Sequence, residues 1–307
     1  MGRIKMKLVK KLLATSLVFC LGISSMVNTA FAVEIQETAE SIHYVRYDLE
    51  GGEKESYTTI TTGETEKIEP SYGIMGPSPV PNVIFDDNWN KVTNTTTFPY
   101  RAIAYLEMSW NIDGEKYVHT GTGFAADDGK VLTAAHNLYN LSDDRIPHGE
   151  APDSIKVVFG KNGSSSYRTA KATEFYINSE WESHEDANYD YGVIIVSTSV
   201  TDYTGHFGLD YEANTNTRYT LSGYPYSGNY NGKYLYTASG EADTVNSKTI
   251  YHYLNATGGV SGAPLYSSDW YAVGLHTWSY GDENDPDAFN KATRVTRDVI
   301  DFVHNAG

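Results

Sequence analysis

From about residue 100 the chain alternates between short apolar runs and small clusters of turn-forming residues. "AIAYLEMSWNIDGEKYVHTGTGFAADDGKVLTAAH" (102–136) reads as three strands joined by turns at Asp113-Gly114 and Asp128-Gly129. Asp-Gly pairs suit the positive φ angles of tight hairpins. "YDYGVIIVS" (189–197) predicts a fully apolar strand, and "APLYSSDWYAVGLHTW" (263–278) a hairpin. The 3.6-residue period emerges only at the end of the chain. In "TRVTRDVIDFVHN" (293–305), Val299, Ile300 and Val303 share a face and Thr296 is a candidate N-cap. No short-period repeat is present. The pattern predicts an all-β body closed by a C-terminal helix, and at this length two barrels or a large sandwich.

Two N-terminal segments stand apart. Residues 1–32 combine Arg3, Lys5, Lys7, Lys10 and Lys11 with the apolar "LLATSLVFCLGI" and then "TAFA". This is the layout of a secretory signal with an A-x-A cleavage site, too short for a comfortable membrane span. Residues 33–82 are acidic, contain "LEGGEKE" and end in the proline-rich "GIMGPSPVPN". Their composition disfavours a packed core, and they are expected to be a propeptide. The expected division is therefore a signal peptide at 1–32, a propeptide at 33–82 and a single folded domain at 83–307.

Composition narrows the function. The only cysteine, Cys20, lies in the signal, so an exported mature chain would carry neither thiol nor disulfide. Cysteine hydrolases and Cys-ligated zinc proteins are excluded for it. The formal net charge is −16, of which residues 83–307 hold −14. Such a field does not favour nucleic acid or an anionic membrane. No cofactor is implied. "SHED" (183–186) lacks metal-ligand spacing, and the acidic "GDENDPDAF" (281–289) lacks that of an EF-hand, so no metal site is expected.

Against that background "ATGGVSGAPLY" (256–266) requires an explanation. Gly258, Gly259, Gly262 and Pro264 suit neither helix nor central strand. They do suit a tight loop that presents Ser261 and aims backbone N–H groups at a ligand. A serine hydroxyl becomes a nucleophile only with a base in reach, and the base needs an acceptor to fix its tautomer. His136, at the end of "KVLTAAH", and Asp190, at the mouth of an apolar strand, are the candidates. The N–H groups of Gly259 and Ser261 would form the oxyanion hole.

"LTAAH", "DYGVIIV" and "GGVSGAP" resemble the His, Asp and Ser motifs of chymotrypsin-like serine proteases, in that family's chain order. The closer resemblance is to the secreted glutamyl endopeptidases of Gram-positive bacteria and their exfoliative-toxin relatives, over essentially all of 83–307. "NVIFDDNWNKVTNTTTFPY" is similar to their mature start, and "SGYPYSGNYNGKYLYTASGEA" to their Gly-Tyr-Pro segment. The resemblance implies two six-stranded antiparallel β-barrels with the triad between them, an extracellular monomer, and protein or peptide substrates cut after Glu, with Asp as the other acid. It also implies that His276 and Thr257 line the specificity pocket, where a carboxylate needs donors or positive charge to offset desolvation. Cleavage between Asn82 and Val83 would free an α-amino group near that pocket, and residues 78–82 would cross it beforehand. Two departures stand out. Val260 replaces the Asp that pairs with the new N-terminus in the digestive enzymes, and Ala263 replaces a Ser or Gly. A serine protease of narrower specificity and a non-catalytic binding protein on the same scaffold are the alternatives.

Overall fold

The computed structural model describes residues 41–60, 65–76, 89–142, 147–280 and 289–307. The signal segment, Val83 with residues 78–82, and the acidic loop at 281–288 lie outside them. Along the chain run β1 (Ser41–Asp48), β2 (Lys54–Ile60), β3 (Asn90–Lys91), β4 (Ile103–Ile112), β5 (Glu115–Asp127), β6 (Lys130–Thr133), β7 (Ser154–Phe159), β8 (Arg168–Lys171) and β9 (Glu174–Asn178). After helix α1 (Ser179–His184) come β10 (Gly192–Ile195), helix α2 (Thr198–Thr204), β11 (Gly208–Leu209), β12 (Arg218–Gly223) and β13 (Tyr236–Val245). Then follow β14 (Thr249–His252), β15 (Pro264–Tyr266), β16 (Tyr271–Tyr280), β17 (Phe289–Arg294) and helix α3 (Arg297–Asn305).

The strands form two sheets. The first has the order β2-β1-β9-β10-β6-β5-β4-β7-β8. The second runs β16-β15-β12-β13-β14-β17, and its β16–β17 pairing closes it into a six-stranded antiparallel barrel, with β11 added in parallel to β16. The architecture is that of the chymotrypsin fold, all-β with a C-terminal helix. The Asp-Gly turns fall where the pattern put them: Asp113 and Gly114 take φ of 53° and 84° between β4 and β5. Thr296 caps α3 by accepting from the Val299 N–H at 3.3 Å, and Val299, Ile300, Phe302 and Val303 are buried.

One expectation fails. Composition gave residues 33–82 no packed core, yet 41–60 form a hairpin whose β1 pairs with β9 and enlarges the first sheet to nine strands. The reason is local. Ile42, Tyr44, Val45 and Tyr47 are buried, and Tyr47 stacks on Phe175 with ring centres 4.7 Å apart. The acids lie at the turn and at the rim. Asp48 accepts from the N–H groups of Glu50 and Gly51, which holds its carboxyl below the ordinary range, and "LEGGEKE" is largely that turn. Four buried apolar side chains in an eight-residue strand outweigh the average composition of fifty residues.

Candidate active site

β6 and β10 are antiparallel neighbours, with Gly192 opposite Thr133. His136 lies three residues past the end of this pairing on one strand and Asp190 two residues before it on the other, so sheet register alone brings them together. A short 3₁₀ turn, Ala135–Asn137, carries the histidine. Its Nδ1 lies 2.7 Å from Asp190 Oδ2, and its backbone N–H donates to Asp190 Oδ1 at 3.0 Å. Asp190 is fully buried and His136 is 6% exposed. The carboxylate thereby fixes which imidazole nitrogen carries hydrogen and leaves Nε2 as the acceptor. Trp278 of the second sheet packs beside the ring, 5.3 Å between centres.

Ser261 lies in the loop that leads into β15 of the second sheet. Its carbonyl accepts from the Thr122 N–H and from the Asn137 side chain, both at 2.9 Å, so the residue after His136 anchors the serine loop. Gly259 has φ of +89°, and a Cβ there would lie 2.5 Å from the Tyr224 carbonyl. Gly262 has φ of +85°, and its Cβ would lie 2.2 Å from both the Thr122 carbonyl and the Thr133 hydroxyl. Neither position admits a side chain. Among the described residues, no protein oxygen accepts from the Gly259 or Ser261 N–H. An N–H group without a protein acceptor can donate to a ligand oxygen.

His276 is tied to the same loop. Its carbonyl accepts from Gly262 N–H at 2.7 Å and its N–H donates to Ala263 O at 2.8 Å. The ring is buried, with Nδ1 3.5 Å from His252 Nε2 and Nε2 3.5 Å from Ser279 Oγ. Burial, followed by the neighbouring His252 and His136, holds the His276 ring well below its ordinary pKa. Burial likewise lowers His252 to about 3. His276 is therefore neutral near pH 7, a donor and not a cation. Thr257 is bound elsewhere: its hydroxyl hydrogen-bonds Ser227, and its carbonyl accepts from Val260 N–H.

Four of these neighbours escaped sequence reasoning. His252, Ser279 and Ser227 join the site through strand pairing and loop contact, which local pattern does not carry. Lys291 is the fourth. It lies opposite Trp278 on β17, is 6% exposed, and donates through Nζ to the Ala187 carbonyl at 3.0 Å, three residues before Asp190. Burial lowers its pKa, and Asp190 and Asp186 act in the opposite sense. In "SHED" the carboxylates are occupied: Glu185 takes the Ser142 hydroxyl, and Asp186 the Asn188 amide.

Such a His–Asp pair beside a serine-bearing glycine loop, between two antiparallel sheets, defines a chymotrypsin-like serine protease. The trypsin family model matches residues 88–301, and the chain belongs to that family. It is 30% identical over 252 residues to a glutamyl endopeptidase of Bacillus licheniformis, covering 78% of this chain and 73% of that one. A Bacillus subtilis protein named extracellular metalloprotease is also 30% identical, over 253 residues, with the same coverage. Among solved structures, a Glu endopeptidase in complex with MPD superposes with a TM-score of 0.60 at 27% identity, over 72% of this chain and 97% of that one. The protease Anisep from Arthrobacter nicotinovorans shares the fold at TM-score 0.57 and 22% identity. No helix among the described residues is long and apolar enough to cross a membrane.

Proposed function

We propose that the chain is an exported serine endopeptidase, made as a zymogen, that hydrolyses peptide bonds on the carboxyl side of Glu through an acyl-enzyme. The observation that carries this reading is the His136–Asp190 hydrogen bond beside the Ser261 loop. His136 takes the Ser261 proton as the hydroxyl attacks the carbonyl and returns it to the leaving amine. Asp190 orients the ring and stabilises the imidazolium. The N–H groups of Gly259 and Ser261 hold the oxyanion, each worth roughly 3–4 kcal/mol.

Glu selection is assigned to His276, Thr257 and the α-amino group of Val83. Because His276 is neutral near pH 7, it supplies a hydrogen bond to a substrate carboxylate but no charge. The charge then falls to the new N-terminus, with an ordinary pKa of about 7.7–8.0. The 30% identity to a glutamyl endopeptidase supports the same reading. The hydroxyl bond between Thr257 and Ser227 favours a second reading, a serine protease of different specificity. Cleavage of matched peptides by two forms of the protein, one beginning at Val83 and one extended by Asn82, decides between them. The Val83 form is expected to cut after Glu with a kcat/KM at least tenfold above that of the extended form. Equal rates would remove the N-terminus from the pocket, and equal cutting after Glu and after apolar residues would remove Glu selection.

A further inference from the structure

Residues 41–60 and 65–76 lie outside the span matched by the family model, yet the first stretch pairs into one sheet and the second bridges to β11 of the other. β1 covers the β9 edge from Tyr44 opposite Asn178 to Asp48 opposite Glu174. Arg46 pairs with Glu174, and Lys54 with Glu182 on α1. Further on, Ile68 bridges Leu209 and Ser71 bridges His206. Lys67 binds Asp210 at 2.9 Å and Glu212 at 2.6 Å, and Thr65 donates to Asp301 on α3 at 2.8 Å. Arg101 is 1% exposed, and its guanidinium donates to the carbonyls of Tyr72, Gly76 and Thr204. Without the segment, two of these acceptors are lost and a buried cation keeps one. β9 becomes a bare edge, and the side chains that cover Ile42, Tyr44, Val45 and Tyr47 face water.

We propose that residues 41–76 stay bound to the protease domain after the chain is cut between residues 77 and 88, as a non-covalent strand-donating subunit. The proposal rests on the reading of 33–82 as a segment severed from 83–307. It gives the first sheet a docking surface, the β9 edge with α1, and commits it to one partner, the chain's own N-terminal segment. The bound strand also steadies the loop that carries the catalytic histidine. Tyr47 lies 5.7 Å from Tyr139 between ring centres, Tyr139 follows His136 by three residues, and its carbonyl accepts from Trp181 of α1 at 2.8 Å.

The test uses the exported chain with Ser261→Ala, to prevent self-digestion, and a recognition site for a sequence-specific protease placed within 77–88. An engineered cut makes the outcome independent of whether the native Asn82–Val83 bond is processed. After cleavage, size-exclusion chromatography with mass analysis is expected to show both fragments in one 1:1 species at low micromolar protein. Elution of the small fragment by itself, or its replacement by a second copy with doubled mass, overturns the proposal. The pair Val45→Asp and Tyr47→Ser is expected to release the fragment after the cut, with the uncut protein keeping its β-sheet circular dichroism. Undiminished retention in that variant also overturns it, since binding would not then depend on the added strand. In a separate active version, stripping the fragment is expected to lower kcat/KM at least tenfold, and re-adding residues 41–76 to restore it; an unchanged rate removes the link to the histidine loop.

Discussion

The two sheets solve the problem of their edges differently. The C-terminal one closes on itself through β16 and β17, and its own cluster packs Ala213, Ala238, Ala242, Ala263 and Ala292 among Tyr219 and the aliphatic Leu221, Ile250, Leu254, Val260, Leu265 and Val273. The N-terminal one stays open, with edges at β2 and β8, and a hairpin from outside the family-matched span extends it beyond β9. The larger, more aromatic apolar cluster starts in this sheet and crosses into the other, from Tyr47 and Phe175 through Phe124 and Phe207 to Tyr266 on β15. The candidate site is divided along the same line. In the proposed mechanism the base His136 and its partner Asp190 hang from β6 and β10 of the open sheet, while Ser261, the proposed oxyanion donors and His276 belong to the closed one. A catalytic unit split in this way depends on the seam between the sheets as much as on either.

The largest effect expected is that of separating the two halves chemically. Ser261→Ala and His136→Ala should each lower kcat/KM by at least about a thousandfold, and the double variant hardly further, because the residues act as one unit. Multiplying losses in steady-state kinetics would show that the sheets contribute independently. Next comes Gly262→Ala, which drives a methyl into Thr122 and Thr133 of the open sheet. Misplacing Ser261 by about 1 Å is enough for roughly a hundredfold loss in kcat, with a lowered melting temperature; an intact kcat would mean the seam is compliant.

His276→Leu tests the closed barrel alone. It should reduce kcat/KM on a Glu peptide by about a hundredfold and on an apolar peptide by far less, since only the carboxylate loses a donor. A uniform drop would assign His276 to folding. The smallest effect is a pH slope. His252 and His276 have pKa values depressed in the folded barrel. Below an ordinary value near 6.5 the unfolded chain therefore binds protons that the folded one refuses. Their contribution to stability is complete above that pH and is lost as pH falls toward about 3 for His252, by at most about 1.4 kcal/mol per pH unit for each ring. Denaturant unfolding between pH 7 and 4 should show the closed barrel weakening, and His252→Phe should flatten the slope.

Much of this was legible in the chain because it is local. Asp-Gly turns, the apolar run before Ser197 and the capped C-terminal helix each lie within a dozen residues. The candidate residues stood out for another reason: Ser261 sits among glycines, and His136 and Asp190 lie at the ends of strand-like runs that the structure pairs, bringing those two together. What escaped was set by pairing at a distance. His252 meets His276, and Lys291 meets the Asp190 loop, through β14–β17 and β16–β17 registers that no short window contains. The N-terminal hairpin escaped because acidic residues dominate an average that hides the four apolar positions Ile42, Tyr44, Val45 and Tyr47.

Val260, fully buried beside Leu221 and Ala263, carries no charge that a freed amino terminus could neutralise. The loop before Ser261 is thus held by packing, and it already has its left-handed Gly259 in a chain that has not been cut. In the proposed maturation, cleavage therefore has no buried carboxylate to recruit at this loop, and its effect falls on the substrate pocket and not on the shape of the loop.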